Sequence, residues 1–360
     1  MNNNTTINQH DVKSRNISLD ILRVMAIFFV LFQHSSEYYY IGDNLSIQVD
    51  NSYTIGWINS LSRICIGLFV MISGYLLLPV KTTTKEFFSR RFVRILAPFI
   101  TWCVAYAVYY VFYRGDSITD CFTHILSIPV NWGVEVGHLW YIYMLVGLYL
   151  LAPVLSPWLR SCSKGELQFY LAIWVVTTAL PYLHMLTPGI LGEASWNVSP
   201  LLYYFTGFVG YFLLGHYIKR YGSLSTLFSC LLLVVGYVLS VLAFNGRIQT
   251  ATGVVDLEIG WDFCSINVAM MTVGVFSLVN KLKISEKKDW TKVIVDISKC
   301  SYAMYLVHIM LLNFYHDLLD SSISSLLIKV PAIAIATFVT TYLIVKLLSY
   351  LPKEKYWLGV

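Results

Sequence analysis

Residues 17–40, ISLDILRVMAIFFVLFQHSSEYYY, are apolar enough to enter a bilayer and long enough to cross it. The same stretch carries Asp20, Arg23, His34 and Glu37. Ionisable side chains are expensive in hydrocarbon, so those that occur there usually mark a functional site. Arg23 and His34 are spaced so that both return to one face of a helix, about 16 Å apart along its axis. The stretch therefore predicts a membrane helix that takes part in chemistry or transport.

The composition of the whole chain extends this prediction. Of 360 residues, 57% are hydrophobic and 12% are charged, whereas a soluble protein carries about 25% charged residues. We expect an all-α polytopic membrane protein. A polar tail (1–16) and a short tail (351–360), both cytoplasmic, would flank one transmembrane domain (17–350). Residues 1–14 lack a signal-peptide core, so we interpret 17–40 as a retained helix.

Ten apolar segments of roughly spanning length follow one another along the chain. With the N-terminus inside, nineteen of the 25 basic residues fall on the inner side and two, Arg114 and Arg247, on the outer side. This asymmetry predicts cytoplasmic termini and explains the formal net charge of +5 without nucleic-acid binding. The apolar stretch within 115–136 is too short to span and predicts an interfacial or re-entrant piece. The ten segments are 17–40, 56–79, 92–113, 137–156, 167–186, 200–218, 225–244, 259–280, 299–319 and 325–348.

No motif of soluble enzymes or metal sites is present. The chain has no GxSxG elbow, P-loop, GxGxxG or HExxH. Its seven cysteines are scattered and form no CxxC pair, so we expect buried apolar cysteines and no metal.

The first segment contains the strongest catalytic candidate. Glu37 lies one helical turn after His34, close enough to orient its imidazole, which is the arrangement of a general base. Asp20 and Arg23 have the spacing of an ion pair near the inner end. The alternative is a structural polar cluster satisfied by neighbouring helices.

The first inner loop and the second segment supply candidates for ligand binding. Arg91 and Arg94, with Arg90 beside them, have the spacing of a phosphate clamp on one helix face, although ordinary inner positive charge is the alternative. Ser73, which precedes a glycine, permits either close helix packing or entry of a slender ligand. Arg63 lies inside the second segment and needs a partner, either Glu37 or the acidic outer loops.

Two later segments add polar groups to a predicted channel. Glu135 and His138 lie one turn apart near the outer surface, and Trp140 follows them. Such aromatic residues fit either a membrane-interface belt or a sugar site. Tyr305 and His308 share a face in the ninth segment and would line the same interior channel.

Together these stretches resemble the acyltransferase-3 family of integral membrane acyltransferases. The resemblance covers residues 17–348 and is greatest to the stand-alone O-acetyltransferases of surface polysaccharides, of the enterobacterial common antigen type. No SGNH-type hydrolase domain is attached. The motifs that carry it are D-x-x-R-x10-H at Asp20, Arg23 and His34, RxxR at Arg91 and Arg94, GLFVMISGYLL at 67–77, HLWY at 138–141 and SYAMYLVH at 301–308.

The resemblance implies a donor, an acceptor and a place in the cell. Acetyl-CoA from the cytoplasm would acylate a hydroxyl of an extracytoplasmic polysaccharide or its lipid-linked precursor, in the bacterial inner membrane. His34 would act as the base, Arg23 would contact the donor, and Arg91 and Arg94 would hold the CoA phosphates. Ser73 would lie on the path of the pantetheine arm. A covalent acyl-histidine stays open as a variant.

A transporter or flippase for a polar or glycolipid substrate is the main alternative, because buried charges in ten spans suit it too. No inverted repeat supports that reading. A membrane sensor is a second alternative, although no effector domain accompanies the helices. Membrane lipid is an expected partner. The glycan, the acyl group and the oligomeric state, a homo-oligomer among the alternatives, are left open by the sequence.

Overall fold

A computed structural model describes residues 15–130, 134–187, 202–286 and 288–360, and the regular structure within them is helical. An isolated bridge joins Ile41 and Ile47. The helices are α1 (Ile17–Glu37), α2 (Val49–Asn59), α3 (Cys65–Leu77), α4 (Thr84–Tyr113), α5 (Ile118–Ser127), α6 (Trp140–Ser161), α7 (Lys164–Thr177), α8 (Leu180–Leu186), α9 (Phe208–Tyr221), α10 (Thr226–Asn245), α11 (Val254–Leu257), α12 (Ile266–Asn280), α13 (Asp289–Leu319), α14 (Leu326–Leu348) and α15 (Glu354–Trp357).

Seven helices in the described part of the chain are long and apolar enough to cross a membrane. A bent pair, Val254–Trp261 with Ile266–Asn280, raises the number to eight. The all-α membrane fold is thus confirmed, whereas the count is lower than the ten predicted segments. The difference arises because α7 and α9 have 14 residues each, and a full span needs about 20. The predicted short piece between the third and fourth segments is α5, with 10 residues.

Helix α1 lies at the centre of the bundle. It packs against α3, α13 and α14, and its residues Leu22, Ala26, Ile27 and Leu31 have no exposed surface. Because α1 is enclosed, its polar side chains point into the protein rather than into lipid.

Helices α3 and α9 come close enough for their backbones to touch. A Cβ added at Gly74 would lie 1.8 Å from the carbonyl oxygen of Phe212, and one at Gly215 would lie 2.0 Å from that of Met71. The glycines therefore permit this packing, as small residues do in membrane bundles.

The C-terminal segment folds back onto α4. The Trp102 indole donates a hydrogen bond of 3.0 Å to the carbonyl oxygen of Trp357. Gly359 has a φ of +80°, and a Cβ there would lie 2.6 Å from the Tyr302 ring. This packing places Gly359 beside Tyr302, near the middle of α13.

Candidate active site

Asp20 organises the start of α1. Its buried carboxylate accepts two hydrogen bonds from Arg15, at 2.6 and 2.7 Å, and one of 2.6 Å from the Ser298 hydroxyl of α13. Arg23 lies 3.5 Å away, so the predicted pair with Asp20 is present but is the longest of these contacts. The hydrogen bond to Asp20 raises the pKa of the Arg15 guanidinium, which lies outside the span. Asp20 thereby fixes two cations at this end, called here the basic end.

A cavity of about 530 Å³ opens at the basic end. Its lining includes the predicted Arg23, Arg91, Arg94 and Ser73. Other lining residues were not among the predicted binding residues: the cations Arg15 and Lys299, Ser298 and Ser301, the tyrosines Tyr141, Tyr149 and Tyr302, and the terminal Gly359 and Val360.

A neighbouring groove of about 500 Å³ shares Arg91 and Arg94 with this cavity. Arg90 lines only the groove, together with Lys355 and Tyr356, and its guanidinium lies 2.6 Å from Glu86. Arginine forks bind phosphate through paired hydrogen bonds. The cavity and groove together therefore suit a long anionic ligand that enters from the basic end.

Three histidines from three helical segments meet further along the bundle. The ring centroids of His34 on α1 and His308 on α13 are 5.4 Å apart, and His138 lies 4.8 Å from His308 and 6.2 Å from His34. His138 ends the short 3-10 turn Val134–Leu139 that leads into α6. The sequence predicted His34 as the base, His138 near the outer surface and His308 in an interior channel, and the structure brings the three rings together.

Hydrogen bonds define which nitrogen of two rings carries the proton. His34 Nδ1 lies 2.8 Å from a carboxylate oxygen of Glu37. His308 Nδ1 lies 2.7 Å from the carbonyl oxygen of Tyr305, which only accepts. A proton on Nδ1 leaves each Nε2 with a lone pair. His308 Nε2 and His138 Nε2 are buried and have no hydrogen-bond partner among the described residues. The cluster therefore presents unprotonated ring nitrogens to a reactant.

Tyr305 lies between the cavity and the histidines. It lines the cavity, its ring centroid is 5.5 Å from that of His138, and its hydroxyl donates to the His138 carbonyl oxygen. The His34 and Glu37 side chains are 17% and 30% exposed although neither lines the cavity. Their exposed surface is therefore separate from the lining of the basic-end cavity.

The remaining predicted residues lie elsewhere. Buried Arg63 donates to the Tyr40 hydroxyl at 3.1 Å, lies 3.5 Å from Glu258 and covers the ring of Trp261 at 4.1 Å. The predicted outer-loop partner of Arg63 is therefore Glu258.

Trp140 stacks on Phe263, with ring centroids 5.9 Å apart, and does not line the basic-end cavity. Glu135 belongs to the 3-10 turn, but its side chain lies outside the described residues.

Two kinds of cavity-lining residue were not predicted from the sequence. Arg15 and Lys299 were interpreted as ordinary inner positive charge, and Tyr149 and Tyr302 as parts of apolar segments, whereas Tyr305 was predicted to line the channel and Tyr141 belongs to the HLWY motif. The helical spacing of Tyr141, Leu145 and Tyr149 was the available signal for Tyr149. Within the described ranges, no group of three or more histidine, cysteine, aspartate or glutamate residues has the geometry of a metal site.

Comparison with known protein families gives a match over most of the chain. The model of the family described as "Acyltransferase domain" (Acyl_transf_3) matches residues 16–347. No curated protein and no solved structure shows significant similarity to the chain.

Proposed function

The chain belongs to this family of membrane acyltransferases, and from that premise we propose that it acetylates a cell-surface glycan. The donor is acetyl-CoA from the cytoplasm, and the acceptor is a hydroxyl of an extracytoplasmic polysaccharide or its lipid-linked precursor. The basic end faces the cytoplasm, as the asymmetry of positive charge favours. The membrane is the bacterial inner membrane.

One observation carries the proposal: a cation-lined cavity at the basic end stops at Tyr305, and the ring of Tyr305 adjoins the histidine cluster that contains the His34–Glu37 pair. Arg91 and Arg94 connect the groove to the cavity, so they would hold the CoA phosphates there. Arg23, further in, would face the donor beyond its phosphates. The apolar and tyrosine lining, with Ser73, would accept the uncharged pantetheine arm.

His34 supplies the chemistry. The Glu37 carboxylate holds the proton of His34 on Nδ1, so that Nε2 can accept the proton of the acceptor hydroxyl. As that proton moves, the hydroxyl oxygen forms a bond to the acetyl carbonyl carbon and the carbon–sulfur bond breaks. His34 then returns the proton to the leaving thiolate. Glu37 stabilises the imidazolium that forms between the two transfers.

His138 and His308 complete the wall around His34. Their Nε2 atoms are buried and have no partner among the described residues. A substrate hydroxyl that enters the cluster can therefore donate to His308 Nε2, and it can pair with His138 Nε2 as donor or acceptor according to the tautomer of that ring. We assign both residues to orientation of the acceptor hydroxyl.

A transporter for a polar lipid is not favoured by the family match. It would also need no base: a transporter moves its substrate unchanged, whereas the enzyme releases CoA. The two functions therefore differ in a measurable product.

The test uses the protein in nanodiscs with radiolabelled acetyl-CoA, with and without a cell-envelope glycan extract. We expect label on glycan with wild type, about a thousand-fold less with His34→Ala, and equal CoA binding by both. His124→Ala is the matched control, because His124 lies on α5 outside the cluster. Normal transfer by His34→Ala would remove His34 from the mechanism, and absence of CoA binding by wild type would overturn the proposed function.

A further inference from the structure

Aromatic and polar side chains form a continuous surface at the end of the bundle opposite the basic end. Tyr38 follows α1 directly and stacks on His316 near the end of α13, with centroids 3.9 Å apart and planes at 19°. Tyr109 and Tyr113 stack near the end of α4, with centroids 5.1 Å apart and planes at 13°. We call these four residues, with Asn313 and Asp317, the outer aromatic surface.

Hydrogen bonds tie the two stacks together. The Tyr38 hydroxyl donates to Asn313 Oδ1, and Asn313 Nδ2 donates to the Tyr109 hydroxyl at 3.2 Å. The Tyr113 hydroxyl donates to Asp317 Oδ2 at 3.1 Å. The other carboxylate oxygen of Asp317, Oδ1, lies 3.2 Å from Nδ1 of His316. Because each carboxylate oxygen has two lone pairs, Asp317 retains capacity for further donors. The rings are thus held in place beside an available acceptor.

This surface continues inward to the histidine cluster. Tyr38 lies one turn beyond His34, about 6 Å along the direction of α1. The ring of Tyr106 is 6.3 Å from that of Tyr109 and 5.4 Å from that of His138. Asp317 lies nine residues beyond His308 on α13, about 14 Å along the helix, so a ligand seated on the surface would extend inward from it toward His34 and Glu37.

The edge of the surface is open. Tyr113 is 42% exposed, and the Asp317 side chain is 56% exposed. A lipid-facing aromatic belt would not carry an exposed carboxylate between its rings, because a charge is unfavourable against hydrocarbon. The arrangement instead pairs an exposed ring face with a carboxylate that can accept hydrogen bonds from hydroxyl groups.

We propose that the outer aromatic surface binds a sugar ring of the acceptor. The apolar face of the ring packs on Tyr113, and its hydroxyls donate to Asp317, so that an adjoining residue of the glycan presents its hydroxyl to His34. This inference rests on the proposed function, since it assigns the acceptor side of the same reaction. It predicts that the chain recognises the sugar next to the acetylated one.

The experiment is saturation-transfer difference NMR with the protein in nanodiscs and the methyl glycosides of glucose, galactose and N-acetylglucosamine as probes. We expect transfer to the ring protons of at least one glycoside. Tyr113→Leu should reduce it at least five-fold, whereas Tyr113→Phe should retain it. Phe112→Leu is the matched control, because Phe112 is the adjacent aromatic residue, is 83% exposed and lies outside the surface.

The outcomes separate this inference from the proposed function, because sugar binding needs no acetyl-CoA. Equal transfer in wild type and Tyr113→Leu, or none in wild type, would overturn the inference while the radiolabel assay still tests acetylation. In that assay, Tyr113→Leu should raise KM for the glycan at least five-fold with the KM for acetyl-CoA unchanged. An unchanged glycan KM would likewise contradict the inference.

Discussion

His308 on α13 lies beside His34 on α1, and the same two helices meet again where the Ser298 hydroxyl donates to Asp20. The two contacts show that α1 and α13 run in the same direction. They place a cation anchor and a histidine cluster at two levels of one helix pair. The geometry of the site therefore depends on the register between these helices.

Replacing Glu37 by glutamine tests the orientation of the base. An amide of similar size cannot stabilise the imidazolium, so we expect kcat to fall about 100-fold with the KM for acetyl-CoA unchanged. Steady-state kinetics measure both. Asp50→Asn, which removes an exposed acid from α2, should leave both constants unchanged. A Glu37→Gln enzyme with wild-type kcat would exclude Glu37 from the proton transfer.

The double variant Arg91→Gln/Arg94→Gln tests the donor site. Loss of two phosphate-binding forks should raise the Kd for acetyl-CoA about 10- to 100-fold, which corresponds to about 1.4 to 2.8 kcal/mol. Isothermal titration calorimetry measures this change. The matched control is Lys81→Gln/Lys85→Gln, which removes two exposed charges from the same basic region. Equal affinities of the two double variants for acetyl-CoA would show that Arg91 and Arg94 do not bind the donor and contribute only the positive charge of the inner side.

Asp20→Asn tests the anchor between α1 and α13. It leaves Arg15 and Arg23 without their carboxylate, and loss of one partner of a buried ion pair costs about 3–5 kcal/mol. We expect the free energy of unfolding to fall by about 2 kcal/mol, because the Arg15 side chain is 39% exposed and partly screened by solvent. Glu86→Gln, in the exposed pair with Arg90, should change the stability by less than about 0.5 kcal/mol. Thermal unfolding in detergent compares them, and similar melting temperatures would argue against an anchor.

Gly74→Ala tests the contact between α3 and α9. The new methyl group would clash with the Phe212 carbonyl, so the helices must separate. We expect the free energy of unfolding to fall by about 3 kcal/mol or more. Gly147→Ala is the control, since no atom of the described residues lies within 4 Å of a Cβ there. Yield of monodisperse protein and melting temperature serve as readouts. A well-folded Gly74→Ala protein would show that the helices can pack further apart.

The sequence predicted the fold class and many of the groups that the structure brings together. Local spacing sufficed for His34 with Glu37 and for Arg91 with Arg94, because each pair lies on one helix. Spacing could not show that His138 and His308 touch His34, since that contact depends on how three segments pack.

The span count and the full donor cavity were harder to predict. Apolar composition marked α7 and α9 as part of longer segments, but α7 ends at Thr177 and α9 begins only at Phe208, so each has 14 residues. Lys299 joins the cavity only because α13 packs beside α1.

The donor cavity stops at Tyr141 and Tyr305, short of the histidines. Three imidazoles in a continuous column of water would relay protons and dissipate the proton gradient across the membrane. A tyrosine layer between the cavity and the cluster interrupts such a column. For the proposed function, such an arrangement would pass an acetyl group from one side of the bilayer to the other while the electrochemical gradient is preserved.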